Sequence, residues 1–139
     1  MMSTSFELKE GSPLPKITKN ITQDNINLYA KASGDFNPIH VDADYARKTP
    51  LGGTVAHGML ILAYISQMLT GAFGQRWLTS GKLNVRFRAP ARPGDVITVS
   101  GSIRRIEKGD GHQTIDCEVL CRNQNDEPVI TGEAKVKVK

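Results

Sequence analysis

At 139 residues and 15.2 kDa, with 39% apolar and 23% charged residues, the chain is sized for one soluble domain, spanning 1–139, around one core. Its formal net charge of +4 is scattered: Arg104-Arg105 and Arg47-Lys48 are pairs, and no run of five basic residues and no RNP-like, Cys-His or basic-zipper pattern occurs. Nucleic acid is therefore not an expected partner, whereas an anionic small molecule or an acidic carrier suits the charge.

Met1 to Glu7 lacks the basic and then apolar regions of a signal peptide, so the expected location is the cytoplasm. Residues 1–12 read as a loosely held lead-in, and 16–20 as a candidate strand after Pro13 and Pro15. Thr22 is a suitable N-cap, and Asp24 sits where a helix dipole favours negative charge. Ile26, Tyr29, Ala30 and Ser33 fall at i, i+3, i+4, i+7, which predicts a short amphipathic helix from about 23 to 33. Gly34 ends it. From 35 to 56 the chain holds two prolines, Gly52-Gly53 and scattered charge, a loop long enough to be functional, with a helical turn predicted over 43–48.

The stretch from His57 to Leu69 is apolar on almost every side of a helical wheel, which predicts a helix surrounded by protein and ended by Gly71 and Gly74. It falls short of the roughly 20 residues a bilayer requires, so no membrane span is expected. The remainder reads as β. Leu83, Val85, Phe87 and Ala89 alternate with polar residues; Pro90, Pro93 and Gly94 make a turn; Ile97, Val99, Gly101 and Ile103 alternate again, with Ile106 out of phase as at a bulge. Lys108 to Gly111 signals a hairpin, Ile115, Cys117, Val119 and Cys121 form the next inward face, residues 123–127 turn, and a last strand begins near Ile130. In a strand, Cys117 and Cys121 lie roughly 13 Å apart, too far for a disulfide, so both are expected to be reduced core thiols. Four antiparallel strands in a meander, following one apolar helix, predict an α+β hot-dog fold in which the sheet curls around the helix. Its open sheet edges predict a homodimer.

Two features carry chemistry. Asp35 and His40 flank the rigid Asn37-Pro38 pair on a loop just past a helix, so an acid and a base can turn toward one point and hold one water. Alternatively, Asp35 is an ordinary turn former that satisfies backbone amides. Gly58 sits at the start of the apolar helix, where backbone N–H groups lack partners and a thioester carbonyl could accept a hydrogen bond. Packing without a ligand is the plainer use of that glycine.

The run Tyr29-Ala30-Lys31-Ala32-Ser33-Gly34-Asp35-Phe36-Asn37-Pro38-Ile39-His40, followed by Ala56-His57-Gly58-Met59-Leu60, resembles the hydratase motif of the MaoC-like family, nearest to its small R-specific enoyl-CoA hydratases. The resemblance spans nearly the whole chain. It implies a homodimeric hot-dog hydro-lyase that adds water to a trans-2-enoyl-CoA or enoyl-acyl-carrier thioester, giving the (R)-3-hydroxyacyl product, with no cofactor and no metal. By position it implies that Asp35 and His40 activate the water, that Gly58 donates to the thioester carbonyl, that Asn37 orients the loop or the pair, and that Ser66 supports the site. Arg86 and Arg88, with Lys82, Arg92 and Arg76, would meet the phosphates of coenzyme A or an acidic carrier; a solvated strand face is the alternative. His57 is expected to be structural, His112 exposed and Trp77 packed. A hot-dog thioesterase and a non-catalytic acyl-thioester-binding subunit are the competing readings. Many such thioesterases place a carboxylate on the central helix, yet Gly58 to Phe73 has no Asp or Glu, and the Asp/His pair is intact.

Overall fold

The period-two pattern of the second half becomes one antiparallel sheet in the computed structural model, which describes residues 7–139. In chain order the elements are β1 (Ile17–Asn20), α1 (Gln23–Ser33), α2 (Pro38–Val41), α3 (Ala43–Arg47), α4 (Gly58–Phe73), α5 (Gln75–Ser80), β2 (Lys82–Phe87), β3 (Val96–Gly109), β4 (His112–Arg122) and β5 (Pro128–Val138). Residues 1–6 of the expected lead-in, and most of the segment that lacks a signal-peptide pattern, lie outside the described residues. The later lead-in is held to the sheet: Gly11 N–H donates to Ile103 O at 2.8 Å, Leu14 N–H to Gly101 O at 2.8 Å, and Ser12 is buried.

The core lies where the sheet's apolar face meets α4. Leu60, Ile61, Ile65, Met68 and Leu69 pack against Ile97, Val99 and Ile103 of β3, Ile115, Cys117, Val119 and Cys121 of β4, and Ile130, Ala134 and Val136 of β5. Burying one such aliphatic side chain is worth about 1.5–3 kcal/mol. This is the hot-dog arrangement. The bulge expected at Ile106 is present: the β3–β4 register shifts between Ile103 and Arg105, which returns Ile106 to the inward face.

The sheet is not a four-strand meander. Among the described residues it has five strands in the order β1-β3-β4-β5-β2, so β2 pairs with β5 across the sheet from β3. Residues 88–95 are a crossover and not a turn. They are too many for a tight hairpin, Ala91 is buried, and Ala91 O accepts from Ala56 N–H at 2.7 Å, which draws the segment beneath the start of α4. Two further expectations fail at α4. Gly71 does not end it: the helix runs on to Phe73, because Met68, Leu69 and Ala72 are anchored in the core on the other face, and Gly74 closes it. Nor is it surrounded within this chain. Met59, Ala63, Gln67 and Gly71, one i+4 row, form an exposed strip, with Met59 57% exposed. The short helix α5, read as the start of the β region, forms because Trp77 tucks its ring inward and donates from Nε1 to Ser66 Oγ at 2.9 Å. Phe87, expected to point inward, is 55% exposed and lies against Gly58. No helix among the described residues is long and apolar enough to cross a membrane.

Candidate active site

Local capping builds the loop that carries Asp35 and His40. Gly34 takes φ +81°, which a residue with a side chain adopts poorly, and its N–H closes α1 on Ala30 O at 2.8 Å. Pro38 holds Asn37 extended (φ −52°, ψ 130°) and opens α2 as its first residue. Two Asx caps then follow in series: Asp35 Oδ1 accepts from Asn37 N–H at 3.2 Å, and Asn37 Oδ1 accepts from Ile39 N–H at 3.1 Å. The six-residue motif is thus a folding instruction that winds one turn of helix and returns His40 toward Asp35.

The result is a separation of 3.9 Å between Asp35 Oδ2 and His40 Nε2, with the Asp35 side chain 53% and the His40 side chain 14% exposed. That is too long for a direct hydrogen bond. A water about 2.8 Å from each atom would see them at roughly 90°, a comfortable angle. His40 Nδ1 lies 2.8 Å from Val55 O; a carbonyl only accepts, so Nδ1 carries a proton, and the neutral form of the ring would present its lone pair at Nε2. Gln23 Nε2 donates to His40 O at 2.8 Å while Thr54 Oγ1 donates to Gln23 Oε1 at 2.7 Å, and Val55 N–H donates to Ile39 O at 3.1 Å. The strap 54–56 is thereby laced to the His40 turn.

His57 joins this group. It is 2% exposed, its Nε2–H donates to Asp35 O at 2.9 Å, and its ring stacks on His40 with centroids 3.8 Å apart and planes at 24°. Gly58 follows directly, and no acceptor among the described residues takes its N–H. A Cβ built on Gly58 would come within 3.0 Å of Phe87 Cε1, so glycine permits this contact. Gly58, Phe87, Arg88, Pro90, Ala91 and Ile130 help to line a cleft of about 350 Å³, and Asp35 and His40 are not among its walls.

Asp35, His40 and His57 each bring one ligating atom within 4.8 Å of the others, so a metal deserves a test. The geometry fits one poorly. Nearly parallel stacked imidazoles cannot both aim in-plane lone pairs at one ion, and His57 Nε2 is engaged by Asp35 O. An ion about 2.1 Å from both Asp35 Oδ2 and His40 Nε2 would need an angle of roughly 140° between them, well beyond tetrahedral.

The remaining sequence candidates are spread out. Ser66 lies two turns along α4, about 12 Å from Gly58, where its hydroxyl accepts from Trp77. Arg88 lies at the cleft and donates from Nε to Thr131 Oγ1 at 3.0 Å, whereas Arg86, one residue out of phase with half-buried Val85, faces the outside of the sheet. Arg92 reaches back to Leu51 O at 2.7 Å, and His112 is half-buried with Nδ1 on Asp110 O. Cys117 and Cys121 are free and buried, and burial pushes both thiols up to about 12. Sequence reasoning missed Gln23, Thr54 and Val55, whose partners lie 15 to 31 residues away, and it undervalued His57.

A model of the MaoC like domain matches residues 6–125. The chain belongs to the MaoC-like family. It is 35% identical over 138 residues to an (R)-specific enoyl-CoA hydratase of Rhodospirillum rubrum, covering 95% of this chain and 89% of that one. It is 31% identical over 128 residues to a 3-hydroxybutyryl-CoA dehydratase of Methylorubrum extorquens, covering 88% and 76%. Among solved structures, an unliganded R-hydratase from Pseudomonas aeruginosa superposes with a TM-score of 0.81 at 28% identity, covering 95% of this chain and 83% of that one.

Proposed function

We propose that this protein is a hydro-lyase that adds water across the trans-2,3 double bond of an enoyl thioester of coenzyme A or acyl carrier protein, giving the (R)-3-hydroxyacyl product, and that it catalyses the reverse dehydration. The observation that carries the reading is the 3.9 Å gap between Asp35 Oδ2 and His40 Nε2, joined through His57 to Gly58, whose N–H has no acceptor among the described residues. A water bridging the gap gives its oxygen to Cβ and one proton to His40 Nε2, while Asp35 holds its other hydrogen. Electron density moves through Cα onto the thioester oxygen, which Gly58 N–H receives; one such donor is worth about 10² to 10³ in rate. Collapse of the enolate takes the proton from His40 to Cα, so one molecule of water is added to one face, and the imidazole is regenerated. The names of the two relatives describe the two directions of this reaction.

Asn37 serves by fixing the turn under His40, and Ser66 by holding Trp77 behind the helix. Arg88 at the cleft and Arg86 beyond it offer positive charge to the carrier's phosphates. A second copy of the chain would cover the β2 edge, Phe87 and the exposed strip of α4, giving a homodimer. The two free thiols suit the cytoplasm. The test is to supply crotonyl-CoA and follow loss of the conjugated enoyl absorbance with chiral analysis of the product. Formation of (R)-3-hydroxybutyryl-CoA is expected. Release of free coenzyme A without hydration would replace the reading with a thioesterase.

A further inference from the structure

We propose that His57 is a positioning residue for the hydration, an inference that rests on the reading above: it sets both the Asp35 main chain and the plane of the His40 ring. Two independent contacts converge on it. Its Nε2–H holds Asp35 O at 2.9 Å, which fixes the residue whose carboxylate faces the water. Its ring lies flat on that of His40, 3.8 Å between centroids, and Tyr29 packs against it edge-on at 4.9 Å. His40 is thus pinned in two directions, within its plane by Val55 O and across its plane by His57. When His40 takes the proton, the π face of His57 is already against the developing positive charge.

Packing alone does not account for an imidazole here. His57 Nδ1 is buried with no hydrogen-bond partner among the described residues, a desolvation cost that a phenyl ring of similar shape would avoid. What the imidazole adds over a phenyl ring is the hydrogen bond to Asp35 O. What it adds over an amide is the flat stack. The two hydrogen bonds also require opposite tautomers in the stacked pair: Nδ1–H on His40 and Nε2–H on His57.

Two variants separate the arms. His57→Phe keeps a flat ring and loses the donor; His57→Gln keeps an amide donor and loses the stack. With crotonyl-CoA, each is expected to lower kcat about tenfold with KM within about twofold, the lower end of what losing an orienting partner does elsewhere. A folded variant with wild-type kcat, or one changed in KM alone, overturns the proposal while leaving the hydratase reading intact; absence of hydration by the wild-type protein overturns the reading itself. Nitrogen-15 NMR of the wild-type histidines needs no variant to fold. At a pH where both rings are neutral it should report Nδ1–H for His40 and Nε2–H for His57, and the same tautomer in both rings would overturn the proposal.

Discussion

The starts of the first three helices and the start of α4 are finished differently. Thr22 accepts from Asn25 N–H, Asn37 from Ile39 N–H and Asp42 from Tyr45 N–H, so α1, α2 and α3 each begin with a side-chain cap. Helix α4 is the longest of the four and has His57 at its N-cap position, with no side-chain cap hydrogen bond. The imidazole is turned away to Asp35 and His40 instead. Capped starts serve folding; in the proposed reaction, the uncapped start of α4 offers a donor and a positive dipole end to the thioester oxygen.

Breaking the pair beside that start should have the largest effect. Asp35→Asn and His40→Ala are each expected to lower kcat for crotonyl-CoA hydration by about 10² to 10⁴, with unchanged circular dichroism. Removing the free donor comes next. Gly58 is the first residue of α4, where proline is tolerated, and His57 already has the extended ψ of 134° that proline demands of its predecessor. Gly58→Pro should therefore cost about 10² in kcat and little in Tm, with exposed Phe87 giving way to the ring. The converse holds at a capped start: Thr22→Ala should lower stability by about 1 kcal/mol in chemical denaturation and leave kcat per folded molecule unchanged.

The smallest effect lies far from the site and concerns the core. Burial raises the Cys117 and Cys121 thiols from 9.0 to about 12 in the folded chain, the charge of Asp116 adding to the effect at Cys117. The folded state thus favours the neutral thiols. Their contribution to stability is complete below about pH 9 and is lost as pH rises from there toward 12. Denaturation midpoints should fall over that window, and less steeply when both cysteines are replaced by alanine.

The parts of this molecule that were legible in its sequence are those written by local rules. Thr22, Asp24 and Gly34 bound α1 from short-range chemistry, and the alternation of Ile115, Cys117, Val119 and Cys121 marked an inward face that is buried as expected. The hot-dog arrangement followed from matching an apolar helix to a one-faced sheet. Strand order did not, because alternation in β2 and β3 says nothing about which neighbours they pair with; the buried Ala91 and its bond to Ala56 decide that, across 35 residues. Asp35, His40 and Gly58 were visible in the motif. Gln23, Thr54 and Val55 were not, since each acts through a contact distant in sequence, and His57 was visible as a residue but not as a contact.

One water held between Asp35 and His40 is the centre of the account, and the stereochemistry of addition tests it most directly. Crotonyl-CoA hydrated in D2O should give the (R)-3-hydroxy product with deuterium at C2 on the face that received oxygen, readable from the proton coupling between C2 and C3. Deuterium on the opposite face would mean that separate groups serve the two carbons, and would contradict it.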